Sequence, residues 1–356
     1  MRSGAIEQRV RGLWYKQRLA LALFPLLPLS WLFRLIVRLR HSLYRYGALR
    51  SYLLPVPVIV IGNLTVGGSG KTPLVLWLVE RLCERGWRPG IISRGHGGTA
   101  QGVQAVALDS ACSLVGDEPL LLARRSSIPV FVARDRVAAG LALLSAHPEC
   151  NVIISDDGLQ HYRMQRSVEI AVFDARGAGN ARLLPAGPLR EPLSRLSAVT
   201  ALVWNAFPQA QAPIQAPVQM SQATLALPQF MMRLVGQRFF ALSDAQVRCT
   251  ADNLRGKRLY AMAGIGDPSR FFAQLAALGL EFEAHPFPDH HDYCSEDLAF
   301  ADDGVLLMTE KDAVKCAALT VREAWVLPVD AQIVAAPDGQ SLLDTILEKI
   351  DGCTLA

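Results

Sequence analysis

A short β-branched run, VPVIVI at residues 56 to 61, passes directly into Gly62, Asn63, Leu64, Thr65, Val66, Gly67, Gly68, Ser69, Gly70, Lys71 and Thr72, and helical composition follows from Leu74 to Leu82. Strand, glycine-rich turn and helix in that order constrain the fold more than any other feature of the chain. Such a unit opens a doubly wound, mostly parallel α/β sheet, and its turn aims backbone amides and a helix N-terminus at one point. That point suits a polyphosphate. Lys71 can neutralise β- and γ-phosphate oxygens and the Thr72 hydroxyl can hold Mg²⁺, so Thr65, Val66, Gly67, Gly68, Ser69, Gly70, Lys71 and Thr72 form the candidate nucleotide cradle. The common pattern GxxxxGKS/T expects glycine where Thr65 stands, so the start of the turn is expected to differ in geometry. A nucleotide and Mg²⁺ are the expected ligands of this loop.

NVIISDD at residues 151 to 157 is an apolar strand ending in two acids. A Asp-Asp-Gly sequence alone more often marks a turn. Beside a phosphate loop, it reads as a second strand of the same sheet delivering Asp156 and Asp157 to the metal. Further short apolar runs at residues 90–93, 129–133, 168–173 and 201–204 complete a doubly wound pattern, and Arg94, Asp117, Asp156, Asp157 and Asp174 fall at or soon after strand ends, where ligands of such sheets gather.

The 356 residues, 51% hydrophobic and 19% charged, are enough to bury a core and more than one domain usually holds. Prolines 208, 213 and 217 break the pattern, which predicts a linker over 208–225 between a catalytic domain at 51–207 and a smaller α/β domain at 226–356. The smaller unit should contain strands at 258–263, 304–309 and 325–328 and a helix near 268–278. Seven scattered cysteines with no CxxC pair fit a reducing compartment and suggest no zinc site.

Residues 1–50 carry ten Lys or Arg against the single acid Glu7, so this segment holds +9 of a net charge of +4 and the rest of the chain must be acidic by 5. The same segment is the most apolar, which favours an anionic membrane surface over nucleic acid. Residues 19–33 read LALALFPLLPLSWLF; fifteen uncharged residues with Pro25 and Pro28 are short for a span of about 20. No clean cleavage site follows, which disfavours a signal peptide. Arginines 34, 38, 40, 45 and 50 interleaved with Trp31, Phe33, Leu35, Ile36, Leu39, Tyr44 and Tyr46 suit an interfacial helix.

Seven strings occur in order: GNLTVGGSGKTP at 62–73, SRGHGG at 93–98, GDEP at 116–119, SDDGLQH at 155–161, LLPAGPLREPLSRL at 183–196, FPDHHDY at 287–293 and TEKDAVK at 309–315. Together they resemble the tetraacyldisaccharide 4'-kinase (lipid A 4'-kinase) family over nearly the whole chain. The resemblance implies an ATP- and Mg²⁺-dependent kinase at the cytoplasmic face of the bacterial inner membrane. It would phosphorylate the 4'-hydroxyl of a tetraacylated glucosamine disaccharide 1-phosphate. It also implies that Lys71 and Thr72 meet phosphate and metal, that Asp156, Asp157 and Glu191 surround the metal with Thr72, and that Asp117 and His290 activate the sugar hydroxyl together with Lys71 at the catalytic centre. An Asp–His pair suits that task because imidazole titrates near neutrality. His291 is adjacent, and His290 is chosen because it directly follows Asp289.

An anionic acceptor and a developing phosphoryl charge call for arginines. Arg94, Arg136 and Arg190 are the candidate substrate contacts, with Arg134 and Arg195 a looser pair. A membrane-embedded glycolipid and an anionic membrane surface are the expected partners, with no nucleic acid and no obligate protein partner. The rivals are a switch or partitioning NTPase, against which the lack of an NKxD string counts, and a phosphate-loop kinase of a soluble metabolite, against which the basic apolar N-terminus counts.

Overall fold

Two sheets, each with a core on either face, divide the residues that the computed structural model describes: 10–16, 20–205, 227–317, 319–336 and 339–351. The first contains β1 (Val58–Gly62), β2 (Pro89–Ser93), β3 (Gln104–Ala105), β4 (Val130–Val132), β5 (Val152–Asp156), β6 (Val168–Asp174), β7 (Ala201–Asn205), β8 (Gln229–Val235) and β15 (Asp330–Val334), in the order β15-β8-β7-β6-β1-β5-β2-β4-β3. The second contains β9 (Arg238–Ala241), β10 (Arg248–Thr250), β11 (Leu259–Ala263), β12 (Glu283–Pro286), β13 (Val305–Thr309) and β14 (Ala324–Leu327), in the order β10-β9-β14-β13-β11-β12.

Strand β1 shows why the first sheet forms. Its side chains alternate between two cores, Ile59 and Ile61 on one face and Val58 and Val60 on the other, as expected of a parallel strand covered on both sides. The first face is covered by a helix at Lys71–Glu84 through Leu74, Leu78 and Leu82, and by a helix at Leu342–Asp351 through Ile346 and Ile350. The second is covered by a helix at Arg136–Ala146 and by the loops around Leu159, Leu183 and Leu189. Because β1 pairs in parallel with β5, with Ile61 opposite Asp156, the glycine-rich loop and the paired acids emerge side by side.

The expected division at residue 226 does not follow the sheets. β8 pairs in parallel with β7, β15 pairs antiparallel with β8, and the helix at Leu342–Asp351 packs in the first core, which leaves residues 238–327 to the second sheet. A chain that leaves a sheet and returns to it cannot be read from the order of its strands alone. The link is a two-stranded ribbon: β8 runs on into β9 and β14 into β15, and the members pair antiparallel on both sides of the crossing. Gly236 lies in that crossing, where an added Cβ would sit 2.3 Å from the Pro328 carbonyl oxygen. The expected linker at 208–225 lies outside the described residues.

The N-terminal segment forms a 3₁₀ turn at Leu21–Leu26 that runs into α1 (Leu27–Arg45). The uncharged stretch is part of a longer helical segment that continues past Arg34: Leu21–Arg45 is 25 residues long and contains an 18-residue window of mean hydropathy 1.6, long and apolar enough to cross a membrane by length and composition. Pro25 lies in the 3₁₀ turn and Pro28 in the first turn of α1, where a missing N–H costs no intrahelical bond. Ser30 is buried in α1, whereas Trp31, Leu32, Leu35, Ile36 and Leu39 are all more than half exposed.

Candidate active site

Gly67 and Gly70 have φ of +100° and +88°, the left-handed region that glycine enters without strain. Space makes Gly70 stricter still, since a Cβ there would lie 2.2 Å from Asn205 Nδ2. Asn205, at the end of β7, donates from that nitrogen to the Ser69 carbonyl at 3.0 Å, and its Oδ1 accepts from Arg270 Nη2 at 2.8 Å. Arg270 belongs to the helix at Pro268–Ala277 beside the second sheet, so the second lobe steadies the loop of the first. Thr65 stands where glycine was expected because the chain is not turning there. It is bridged antiparallel to Leu189, and the Val66 amide donates to the Pro188 carbonyl at 2.9 Å, so the loop begins as extended backbone.

Lys71 begins the helix and reaches Asn63 Oδ1 at 3.3 Å and Asp157 Oδ1 at 3.5 Å. Asn63 is fully buried and joins the loop together, its Nδ2 donating to the Gly67 carbonyl and its Oδ1 accepting from both Lys71 and Arg190. Arg190 also grips Asp157 with two donors, at 2.9 and 2.8 Å. Burial would raise the Asp157 carboxyl, but Lys71 and Arg190 outweigh it and hold it well below the usual range. Asp157 has φ of +48°, a strained conformation for a residue with a side chain.

Asp156 is in the opposite state. Burial, reinforced by the charge of Glu118, pushes its carboxyl up to about 7 against the pull of Lys71. Its Oδ1 is buried without a hydrogen-bond partner among the described residues, while Oδ2 accepts a long bond from Ser93 Oγ at 3.5 Å. An orphaned buried carboxylate oxygen beside a phosphate loop fits a divalent cation. Among the described residues no three of His, Cys, Asp and Glu are arranged to hold a metal ion, so the expected set of Thr72, Asp156, Asp157 and Glu191 is not a preformed cage. Mg²⁺ commonly binds through one or two carboxylates and the phosphates themselves, which this arrangement permits. Glu191, 2% exposed, has both oxygens engaged, Oε1 by the Tyr162 hydroxyl and Oε2 by Gln160 Nε2 at 3.0 Å.

Arg136 takes a different place from the expected substrate contact. It is 4% exposed and directs Nη2 at the carbonyl oxygens of Asp156 and Asp157, at 3.5 and 3.3 Å, because the start of its helix abuts the end of β5. Arg195 is tied to Glu169 and Tyr162. Arg94 and Arg134 are exposed and line a shallow cavity of about 200 Å³ with His96.

The expected acid–base pair is brought together from the two lobes. Asp117 starts a helix at Asp117–Ser126 and is 4% exposed; His290 lies in the loop after β12 with φ of +58°. Nδ1 of His290 is 3.0 Å from Asp117 Oδ2. Burial would raise the Asp117 carboxyl, but the His290 hydrogen bond and the Lys311 and Lys315 ammonium groups hold it down at about 2. The hydrogen bond to Asp117 raises His290 against burial and Lys311. His291 instead bonds Asp297 at 2.9 Å and packs on Phe287 and Tyr293.

Lys311, in a helix at Glu310–Cys316, meets Glu118 at 3.1 Å, Asp289 at 3.5 Å and Asp117 at 3.6 Å, fastening the lobes beside the pair. Gly266 would place a Cβ 2.7 Å from the Gly68 amide nitrogen, so the lobes touch at the phosphate loop as well. A cavity of about 270 Å³ opens there, lined by the loop together with Ile265, Phe271, Gln274, Lys311 and Leu327. Asn63, Gln160, Tyr162 and Lys311 were not among the expected site residues. Asn63, Gln160 and Lys311 lie inside strings quoted for other members, which was the signal available.

A profile of the family described as Tetraacyldisaccharide-1-P 4'-kinase matches residues 22–349. The Tetraacyldisaccharide 4'-kinase of Dechloromonas aromatica is 51% identical over 352 residues, covering 96% of this chain and 97% of that protein. The protein of the same name from Azoarcus is 53% identical over 325 residues, covering 91% of each. The crystal structure of LpxK from Aquifex aeolicus in complex with ATP superposes with a TM-score of 0.76 at 30% identity, covering 93% of this chain and all of that one. With whole-chain matches in sequence and fold around the site just described, this chain belongs to the tetraacyldisaccharide-1-P 4'-kinase family.

Proposed function

We propose that the chain is an ATP-dependent kinase that transfers the γ-phosphate to the 4'-hydroxyl of a tetraacylated glucosamine disaccharide 1-phosphate, forming lipid IVA. The observation that carries this reading is the Asp117–His290 pair, held at 3.0 Å across the lobes beside a loop that begins the Lys71 helix. Nδ1–H of His290 donates to Asp117, which leaves Nε2 to accept the sugar proton. The hydroxyl oxygen then attacks the γ-phosphorus, the bond to the β-phosphate oxygen breaks, and ADP departs. Lys71 and the loop amides neutralise the charge that develops, and positioning with electrostatics supplies most of the acceleration. Mg²⁺, when bound, screens the phosphate oxygens; Asp156, Asp157 and Thr72 are the residues that would hold it, with Glu191 behind them.

The protein is membrane-associated in this reading. An acceptor with four acyl chains stays in a bilayer, and α1 offers an exposed row of Trp31, Leu32, Leu35, Ile36 and Leu39 interleaved with Arg34, Arg38 and Arg40. We assign it to the cytoplasmic face, where ATP is supplied. Arg94 and Arg134 border the pocket beside His96, whose ring meets His290 edge-on at 5.1 Å, and are placed to meet the acceptor. Incubating the purified protein with γ-labelled ATP, Mg²⁺ and the disaccharide monophosphate in detergent should label the glycolipid. Label appearing only in free phosphate would refute the assignment.

A further inference from the structure

α1 faces the body of the protein along one seam. Ser30, Phe33, Val37, His41 and Tyr44 recur at intervals of three or four and are buried or half-buried, while the positions between them are mostly exposed. The upper part of the seam is anchored to the loop at 183–190, where Ser30 Oγ donates to the Leu183 carbonyl at 2.8 Å; ahead of α1, Trp14 Nε1 donates to the Pro185 carbonyl of the same loop at 3.1 Å. In the lower part, His41 and Tyr44 pack on the ring of Tyr162 with centroids 5.1 and 6.0 Å away.

Tyr162 looks the other way into the site. Its hydroxyl donates to Glu191 Oε1 and accepts from Arg195 Nε at 3.2 Å, and the guanidinium groups of Arg166 and Arg195 each lie 5.5 Å from its ring centroid. The second oxygen of Glu191 accepts from Gln160, the same amide donates to the Asn63 carbonyl at 3.2 Å, and Asn63 Oδ1 holds Lys71. Between the membrane-facing helix and the catalytic lysine there is thus an unbroken run of contacts: His41, Tyr162, Glu191, Gln160, Asn63, Lys71.

We propose that Tyr162 is a positioning residue that makes the placement of Glu191 and Lys71 depend on the docking of α1. The inference rests on the kinase reading for the roles of Lys71 and Glu191. Docking of α1 is shallow, because Ser30 is its one buried residue among the nineteen of the helix. Most of its apolar surface is left for a bilayer to cover, so a membrane holding α1 flat against the body biases it towards the docked arrangement. The ring of Tyr162 senses that arrangement on one side, and its hydroxyl orders a buried carboxylate on the other. A glycolipid-bearing surface would then set the phosphate site in its working geometry before transfer.

The test is a double-mutant cycle on the full-length protein with Tyr162→Phe, His41→Ala and the pair, assayed in mixed micelles of detergent, anionic phospholipid and the glycolipid acceptor. Tyr162→Phe keeps the ring and removes only the hydroxyl, and should lower kcat at least tenfold with the acceptor KM within about twofold. His41→Ala should lower kcat by a smaller factor, and the pair should lose no more than Tyr162→Phe alone, since both break one line of contacts. Binding of a non-hydrolysable MgATP analogue to each variant verifies that the phosphate site is folded. Unchanged kcat in Tyr162→Phe, or losses that multiply in the pair, would overturn the coupling. A wild-type protein that labels no glycolipid would instead remove the kinase reading on which it rests.

Discussion

His290 Nδ1 and Asp117 Oδ2, 173 residues apart in sequence, meet at 3.0 Å across the gap between two sheets. Each changes the other's proton affinity, the carboxyl held down at about 2 and the imidazole raised. Asp117→Asn should lower kcat by about 10²- to 10⁴-fold, the range of a lost general-base contribution. The variant removes the largest cause that raises His290, so the acidic limb of the kcat/KM profile should move to lower pH. Stability has a matching sign. A depressed carboxylate contributes above its ordinary value and loses that contribution as pH falls through about 2, so the variant's deficit in melting temperature should be full at neutrality and shrink in strong acid.

Lys71→Ala should reduce glycolipid phosphorylation by about a hundredfold or more, the scale of a lost preorganised charge contact. Asp157 and Asn63 would each lose a cationic partner. Single-turnover transfer of γ-labelled ATP measures the chemical step, and a variant within fivefold of wild type would exclude Lys71 from it.

Asp156→Asn should raise the Mg²⁺ concentration needed for half-maximal activity at least tenfold, since loss of a metal-site carboxylate exceeds the 10- to 100-fold scale of outer contacts only upwards. The orphaned Oδ1 is the basis of this expectation. Titrating Mg²⁺ at saturating ATP checks it, and an unchanged midpoint would show that the oxygen has another use.

Gly266→Ala places a methyl group 2.7 Å from the Gly68 amide nitrogen. Backbone cannot yield there as a flexible side chain would, so the lobes must part. We expect kcat and the KM for ATP to worsen together, each by about tenfold, as for residues that govern domain approach. Steady-state kinetics with varied ATP would reveal a change in one parameter alone, which would count against contact between lobes at this point.

Leu35→Asp with Ile36→Asp alters two side chains that are 63% and 55% exposed. Folding should be nearly unaffected, within about 0.5 kcal/mol, as for exposed positions generally. Sedimentation with anionic vesicles should fall by tenfold or more, because each apolar side chain contributes about 1.5–3 kcal/mol when removed from water. Undiminished vesicle binding would mean that another surface meets the lipid.

Those parts of the site that depend on local order were legible in the chain. The phosphate loop is one strand, one turn and one helix, and β-branched residues followed by glycines and a Gly-Lys-Thr sequence announce it. Asp117 and His290 were legible only by resemblance, since nothing local brings residues from different lobes together. Asn63, Gln160 and Tyr162 were missed because an uncharged polar residue acquires its meaning from the partners folding gives it. Arg136 was read from its charge as an anion contact, and folding adds what the sequence did not show, the carbonyl oxygens at the end of β5. The return of β8 and β15 to the first sheet was invisible, because strand order in space is set by pairing across long loops.

The paired crossing at Gly236 and Pro328 has a mechanical corollary. Two neighbouring tethers, hydrogen-bonded to each other on both sides of the crossing, resist torsion and sliding as a single strand would not. They hold the lobe that carries His290 against the lobe that carries Lys71, so the proposed proton acceptor and the proposed triphosphate grip are registered by paired backbone rather than by one flexible strand.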